Sequence, residues 1–348
     1  MKRQRGAAPV HVISEEGLRT FYGKLWLPLA AKFVLEELAM LGGGCSMEQR
    51  ELVLQYWEYP CRNNVFRSVA DVVRLLEDAL QHHRYLPINI HFGPVWPALH
   101  MALQPLRPPS KDWVVPEFAP NVDMLKPRAF ERKERGDSAR GELVLDVDMP
   151  VARRIAVQCC DCGDEARVCE TCWTIFMLPA QRILTYLVRN FFAFKRCFSV
   201  FSGRRGFHLW IMDPRVLDWT FHERRAFIAH ITAPLTRAHR DPLSDFIWET
   251  VIKPEWDAHP SWATSREEAF TLWYPELDQR VSTAPDHMHK LPLMLNAYTG
   301  YFCDVLADPD DERYRFVASP DQLITLDRMK PHIMLGCIAY LQRVLSEK

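Results

Sequence analysis

Apolar residues recur at three- and four-residue spacing in several stretches of the chain, which is the pattern of helices with one buried face. This spacing predicts helices over Glu15–Leu38 and Val69–Leu80 and makes the first hundred residues mainly helical. It returns over Ile175–Phe194, Phe221–Thr232 and Pro331–Leu345. Helices are therefore expected on both sides of the middle of the chain.

Strand-like patterns are concentrated in that middle. Glu142–Met149 is rich in Leu and Val, while Cys197–Ser202 and Phe207–Asp213 read as two strands around a turn at Gly203–Gly206. The region 260–300 mixes strand, turn and loop signals. The chain is thus predicted to be an α+β protein, a mixed α/β fold whose helices flank a central mixed sheet that carries the chemistry.

Composition and charge narrow the possible classes. Of the 348 residues, 48% are hydrophobic, which excludes global disorder, and no uncharged stretch reaches the roughly 18 apolar residues of a bilayer span. The basic start Met1–Arg5 precedes no apolar segment, so a soluble, intracellular protein without a secretory signal or a membrane partner is expected. The formal net charge of −1 lacks the basic footprint of an architectural nucleic-acid binder, so any nucleic-acid contact must be local. The charge-dense stretch Lys126–Asp137 is predicted to be a solvated loop.

Two acids end the first predicted strand. Because strand side chains alternate, the carboxylates of Asp146 and Asp148 should project from one face, about 7 Å apart at the backbone. Their repulsion would be relieved by one or two divalent cations that prefer oxygen ligands, Mg²⁺ or Mn²⁺. The alternative interpretation is a strand that ends in solvent with two exposed acids.

Five of the ten cysteines crowd into fourteen positions, which in an intracellular chain indicates a metal rather than disulfides. Four thiolates for a tetrahedral, structural Zn²⁺ are supplied by Cys159, Cys160, Cys169 and Cys172. Cys162 could replace either of the first two. A redox Cys-x-x-Cys motif is the alternative.

The predicted turn carries paired arginines between glycines, Gly203-Arg204-Arg205-Gly206. The glycines let the backbone approach a ligand, two guanidinium groups can hold phosphate oxygens, and His208 adds a donor. The segment indicates a triphosphate-binding loop that differs from the Gly-x-x-x-x-Gly-Lys-Ser/Thr type. The alternative is a polar hairpin turn with solvated arginines.

These segments stand in the order found in the small catalytic subunit of archaeo-eukaryotic DNA primase, and the chain resembles that family. The similarity extends upstream to Arg50-Glu51-Leu52 and downstream from Leu277 through Lys290 to Thr299-Gly300. It covers residues from about 15 to about 345. The resemblance implies a tail over 1–14 and a primase catalytic domain over 15–348, with a small zinc-binding element at about 156–175.

The resemblance also implies roles for the matching residues. Two catalytic metals would be bound by Asp146, Asp148 and Asp278. The pocket of the incoming nucleotide would be formed by Glu51, Arg67, Ser202, Arg204, Arg205, His208, Lys290 and Asn296, with Arg62 as the alternative to Arg67. The chain departs from the family at Asn296, where a histidine is usual, and at Asn89, where a ribose-sensing acid is expected.

The resemblance implies a function as well. It predicts template-directed synthesis of short RNA primers on single-stranded DNA by two-metal nucleotidyl transfer, with Mg²⁺ or Mn²⁺ as the catalytic ions and Zn²⁺ as a structural ion. It further implies ribonucleoside triphosphates as substrates, a large primase subunit and the DNA polymerase alpha complex as partners, and a location in the nucleus. The alternatives are a repair-type primase-polymerase of the same superfamily and a non-catalytic, zinc-containing adaptor.

Overall fold

The computed structural model describes residues 13–41, 47–56, 60–66, 68–83, 85–96, 101–103, 124–127, 139–157, 169–233, 242–306 and 323–346. Most of the predicted tail and of the charge-dense loop lie outside these ranges. No helix of the described part is long and apolar enough to cross a membrane.

The helices that the apolar spacing predicted are present. Two of them begin with a reciprocal cap, in which Ser68 and Asp71, or Thr220 and Glu223, each satisfy the other's backbone N–H. In chain order the helices are α1 (15–41), α2 (Val69–Gln81), α3 (Val151–Ala156), α4 (170–191), α5 (Pro214–Leu217), α6 (Phe221–Thr232), α7 (242–258), α8 (Arg266–Trp273), α9 (Gln279–Thr283) and α10 (Pro331–Leu345).

The strands form two sheets whose pairings are antiparallel. The first sheet has the order β4-β5-β2-β1-β3-β9 and the second has the order β10-β7-β8-β6. The strands are β1 (Arg50–Gln55), β2 (Pro60–Phe66), β3 (Asn89–Val95), β4 (Met101–Leu103), β5 (Met124–Pro127), β6 (Leu143–Asp148), β7 (Cys197–Phe201), β8 (Gly206–Ile211), β9 (His289–Lys290) and β10 (Val305–Leu306).

Two predictions are corrected by this topology. The single central mixed sheet is wrong, because the strands form two antiparallel sheets, and the first hundred residues contain the strands β1, β2 and β3 in addition to the predicted helices. These strands lack a plain alternating pattern: β1 begins with the buried charged pair Arg50-Glu51, and β3 contains Gly93 and Pro94, two residue types that are depleted in strands. The first two residues of the predicted solvated loop, Lys126 and Pro127, belong to strand β5.

The four-stranded sheet is the central layer because both of its faces are buried. On one face, Leu143 and Leu145 pack in a core shared with helices α4, α6, α7 and α8. On the other face, Val144 and Trp210 pack in a second core shared with α1, α10 and the six-stranded sheet. The ring of Trp210 meets Phe92 of β3 edge to face, with centroids 6.4 Å apart. The two sheets are therefore in direct contact.

A buried ion pair fixes one sheet to the other. The side chains of Arg50 on β1 and Glu142, just before β6, are at most 3% exposed, and Arg50 Nη1 donates to Glu142 Oε1 at 3.1 Å. Arg50 Nη1 also donates to the carbonyl of Gly93 at 3.0 Å. Arg224 of α6 donates to the carbonyls of Glu142 and Gly141 at 2.9 and 2.7 Å. The residues just before β6 are thus held by Arg50 of the six-stranded sheet and by Arg224 of α6.

Candidate active site

The register of β6 and β8 sets the centre of the site. Asp146 lies opposite His208, and Asp148 lies opposite Gly206. Side-chain alternation puts Asp146, Asp148 and His208 on the face that carries Trp210, which is the face toward the six-stranded sheet. The two carboxylates share one face, as the spacing of two residues predicted.

A third carboxylate is brought to this point by the start of α9. The backbone N–H of Asp278 donates to the carbonyl of Asp146 at 3.0 Å, and Leu277 forms an isolated bridge with Val147. Asp278 caps α9, because its Oδ1 accepts from the backbone N–H of Val281 at 3.0 Å. Ser282 Oγ in turn accepts from the backbone N–H of Asp146 at 3.2 Å. Backbone contacts therefore bring Asp278 beside the Asp146–Asp148 pair.

Electrostatics at this point favour a cation. Burial and the negative charges of Asp148 and Asp278 raise the pKa of Asp146 to about 7. Burial and the charge of Lys290 lower the pKa of His208 to about 4, so its imidazole is neutral at pH 7. His208 Nε2 lies 3.5 Å from Asp146 Oδ1 and cannot neutralise it. The carboxylates carry more negative charge than their surroundings balance, which fits oxygen-liganded divalent cations.

The loop between β7 and β8 is shaped by its glycines. Gly203 has a φ of +77°, which favours glycine, and a Cβ on Gly206 would lie 2.0 Å from the carbonyl oxygen of Val147. Ser202 Oγ accepts from the backbone N–H of Gly206 at 3.2 Å, so its hydroxyl closes the loop. Arg205 Nη2 pairs with Asp148 Oδ2 at 2.7 Å. The predicted phosphate loop therefore lies directly beside the acids.

Lys290 and Asn296 reach the same loop from outside the four-stranded sheet. Lys290 is on the edge strand β9, and its Nζ donates to the carbonyl of Ser202 at 3.3 Å. Asn296 Nδ2 donates to that carbonyl at 3.3 Å, while its Oδ1 accepts from the backbone N–H of Tyr298 at 3.1 Å. Since Asn296 is only 5% exposed, its amide shapes the loop from within the protein.

Other predicted nucleotide-site residues lie in the six-stranded sheet. Glu51 is fully buried, and its side chain lies against Gly93, where a Cβ would come within 2.9 Å of it. Asn89 is also buried, and its amide nitrogen satisfies the carbonyls of Leu295 and Ile88 at 2.7 and 3.1 Å when it points toward them. Of Arg62, only the backbone in β2 is described, and Arg67 lies outside the described residues.

The described half of the cysteine element is at the start of α4. Cys169 Sγ lies 3.4 Å from Cys172 Sγ and accepts from the backbone N–H of Cys172, also at 3.4 Å. A disulfide would need about 2.05 Å, whereas two thiolates on one tetrahedral Zn²⁺ lie about 3.8 Å apart. The pair fits a shared metal better than a disulfide. The other candidates, Cys159, Cys160 and Cys162, lie outside the described residues.

The donor sets are incomplete as they stand. In the described part of the chain, no group of three or more His, Cys, Asp or Glu side chains is arranged to hold a metal ion. At the carboxylates, Arg205 engages Asp148, and the cap of α9 uses one oxygen of Asp278. The oxygen donors and their excess negative charge nevertheless fit Mg²⁺ or Mn²⁺ once these contacts are exchanged.

Three residues that support the site had no predicted role. Ser282 bonds the backbone of Asp146, and Thr299 Oγ1 donates to the carbonyl of Gly203. Arg153 of α3 donates to the carbonyl of Tyr274 at 2.7 Å, a few residues before Asp278. Ser282 and Thr299 lie inside the segment from Leu277 to Gly300 that resembles the primase family, and this is their sequence signal. Their partners are distant in the chain and follow from the fold alone.

Comparisons with known proteins point to the same family that the motifs resemble. The family model for the DNA primase small subunit matches residues 145–308, which include the three acids, the arginine loop and Lys290. Curated proteins named DNA primase small subunit from Caenorhabditis elegans, Schizosaccharomyces pombe and Saccharomyces cerevisiae are 36%, 31% and 38% identical over 90, 123 and 90 residues.

Those alignments cover 26%, 35% and 26% of this chain and 21%, 25% and 21% of the three relatives. The aligned part is thus about a fifth to a quarter of each relative's length. The resemblance seen in the motifs is confirmed: residues 145–308, slightly less than half of this chain, match the family model of the DNA primase small subunit.

Proposed function

We propose that this protein is the catalytic subunit of a DNA primase, which makes short RNA primers on single-stranded DNA. One observation carries the proposal: Asp146 and Asp148 on β6 lie directly beside Arg205 and His208 on the adjoining loop and strand. Carboxylates for metal ions and guanidinium groups for phosphates are the two requirements of nucleotidyl transfer, and here they adjoin.

In this proposal Asp146, Asp148 and Asp278 hold two Mg²⁺ or Mn²⁺ ions. When bound, such ions would supply activation of the attacking 3′-hydroxyl and neutralisation of phosphate charge. Arg204, Arg205 and Lys290 would offset the charge that builds up on the leaving pyrophosphate, and the neutral His208 would add a hydrogen bond. Asn296 would act by holding the carbonyl of Ser202, and so the shape of the loop, rather than by contacting phosphate.

A structural Zn²⁺ is proposed at the cysteine element. Cys169 and Cys172 would provide half of its ligands, and their Sγ–Sγ distance of 3.4 Å supports this. Cys159 and Cys160 would provide the other half, with Cys162 as a substitute for either. Four thiolates leave no open position for a substrate, so the ion would stabilise the fold without taking part in the reaction.

The proposed partners follow from the family. They are single-stranded DNA, ribonucleoside triphosphates, a large primase subunit and the DNA polymerase alpha complex, in the nucleus. The formal net charge of −1 is consistent with a subunit that shares template binding with partners.

De novo synthesis on single-stranded DNA, with labelled ribonucleotides and Mg²⁺ or Mn²⁺, tests the proposal, with and without the large subunit. Asp148→Ala is expected to abolish short RNA products while circular dichroism and zinc content stay unchanged. The matched control is Asp257→Ala, which removes an exposed acid paired with Lys253 on α7 and should leave synthesis intact. Primer yield like that of the wild type from Asp148→Ala would refute the site.

Two other functions remain as outcomes of the same assays. A repair-type primase-polymerase would extend or re-prime strands without a large subunit and would not co-purify with one. A non-catalytic zinc adaptor would make no product and would show no metal-dependent binding of a nucleoside triphosphate.

A further inference from the structure

Arg205 is held beside Asp148 by the backbone of the loop. The carbonyl of Arg205 accepts from the backbone N–H of Met149 at 3.2 Å, and the next residue, Gly206, lies opposite Asp148 in the β6–β8 pairing. A Cβ on Gly206 would lie 2.0 Å from the carbonyl oxygen of Val147, so the backbones of the loop and of β6 are in close contact here. The backbone of Arg205 is thus held by β6, whereas its side chain can change its partner.

The contacts of that side chain are incomplete. Its Nη2 pairs with Asp148 Oδ2, but its Nε is buried and has no hydrogen-bond partner among the described residues. A buried N–H without an acceptor is unfavourable, so this guanidinium group is one acceptor short. An oxygen-rich anion in the loop would supply that acceptor, and a guanidinium group binds phosphate oxygens best through two donors at once.

We propose that Arg205 is a resident counter-ion of Asp148, and that a divalent cation and Arg205 compete for this carboxylate. When the cation takes Asp148, the guanidinium group is released and binds triphosphate oxygens through Nε and a terminal nitrogen. The inference rests on the proposed function and adds a coupling to it: the cation and the nucleotide each favour the other's binding by moving one side chain.

The exchange is energetically accessible. Asp148 is 52% exposed and Arg205 is 29% exposed, and ion pairs of this kind contribute little because water and salt screen them. A divalent cation interacts with all three carboxylates and carries twice the charge of the guanidinium group. Without the cation, the pair partly balances the acids, since the charge of Arg205 acts to lower the pKa of Asp146.

The first experiment measures Mn²⁺ binding without nucleotide, from the electron paramagnetic resonance signal of free Mn²⁺ at pH 8. Arg205→Gln is compared with Arg204→Gln, which removes the same charge one residue away. Both variants should bind Mn²⁺ more tightly than the wild type because a positive charge is lost. Removing the competitor should make Arg205→Gln about two- to five-fold tighter than Arg204→Gln.

A second arm isolates the contact. In an Asp148→Asn background the competition is absent, so Arg205→Gln and Arg204→Gln should change Mn²⁺ affinity equally.

A third arm measures the binding affinity of a non-hydrolysable ribonucleoside triphosphate with and without Mn²⁺. The wild type should bind it more tightly with Mn²⁺, and Arg205→Gln should reduce this coupling because the released donor is missing.

Equal Mn²⁺ affinities of Arg205→Gln and Arg204→Gln, or a weaker affinity of Arg205→Gln, would overturn the inference even if the wild type makes primers. Absence of Mn²⁺ binding in the wild type and in both variants would overturn the inference and the proposed function together. Tighter Mn²⁺ binding by Arg205→Gln in a protein that makes no primers would support the competition and reject the function.

Discussion

The carbonyl oxygen of Asp146 accepts a hydrogen bond from the backbone N–H of Asp278 at 3.0 Å, although 132 positions separate the two residues. The contact joins main chain to main chain. Replacing either carboxylate therefore removes charge without removing the link that brings the two positions together. Amide variants at these positions accordingly report on electrostatics rather than on the fold.

Asp146→Asn is expected to stabilise the protein above pH 7 in buffer without added divalent cations. The pKa of Asp146 is raised from 3.8 to about 7 by burial and by its acidic neighbours, so its charged form is unfavourable in the folded state. Urea unfolding at pH 8 should show a gain of up to about 4 kcal/mol in the free energy of unfolding.

The direction of this pH dependence follows from the number of protons that the folded and the unfolded states bind. Between about pH 4 and pH 7, the folded protein keeps a proton on Asp146 that the unfolded chain releases, so its stability falls as pH rises through this window. Near pH 4 the advantage of Asp146→Asn should therefore vanish. A gain of the same size at pH 4 and pH 8 would contradict the assignment, and the exposed Asp257→Asn is the control.

Gly206→Ala is expected to destabilise the protein by about 1–3 kcal/mol, because its Cβ would lie 2.0 Å from the carbonyl oxygen of Val147. The β6–β8 pairing would have to open at the loop, so binding of nucleoside triphosphates should weaken too. Gly336→Ala is the matched control. Apart from the neighbouring residues and backbone of α10 itself, no atom of the described residues lies within 4 Å of the added methyl group, and the helix should gain about 0.5–1 kcal/mol. Equal changes in the free energy of unfolding for Gly206→Ala and Gly336→Ala would contradict the close approach of Gly206 to Val147.

Glu142→Gln is expected to lower the free energy of unfolding, measured in urea, by about 3–5 kcal/mol, because it leaves Arg50 buried beside a neutral amide. Glu15→Gln breaks the exposed pair with Arg19 on α1 and should cost no more than about 0.5 kcal/mol. The double variant Arg50→Met/Glu142→Leu should be more stable than Glu142→Gln, because no uncompensated charge remains. A double variant that is less stable than Glu142→Gln would argue against this account.

Cys172→Ser is expected to lower the zinc content of the purified protein, measured by inductively coupled plasma mass spectrometry. The side chain is fully buried and its Sγ faces that of Cys169, so a hydroxyl there would be a poor ligand for the shared ion. Cys337→Ser on α10, where the thiol donates to Asp304, should leave zinc content unchanged. Unchanged zinc in Cys172→Ser would rule out this pair as ligands.

The elements around the site were predictable because their signals are local. The alternation that put Asp146 and Asp148 on one face, and the glycines that turn the chain at Gly203 and Gly206, lie within a few residues of one another. Helices such as α2 and α10 followed from apolar spacing for the same reason. Local patterns predict local geometry, and here they predicted the shared face of the two acids and the turn that follows β7.

What could not be predicted depends on contacts between distant segments. Strand β1 begins with two buried charged residues, and Glu142, which directly precedes β6 of the other sheet, pairs with Arg50. The burial of Glu51 against Gly93 and the use of the Asn296 amide inside the loop likewise need the folded neighbours. A sequence pattern states the chemical type of each residue, whereas these roles depend on its partner.

Lys290 belongs to the six-stranded sheet, and the acids belong to the four-stranded sheet. Its strand, β9, pairs with β3, which precedes the segment 145–308 shared with known primase subunits. A fragment limited to that segment would retain Lys290 and β9 but lose β3, the strand with which β9 pairs. Excising the part of the chain that matches the family model would therefore keep the matched residues but remove part of the support of the site.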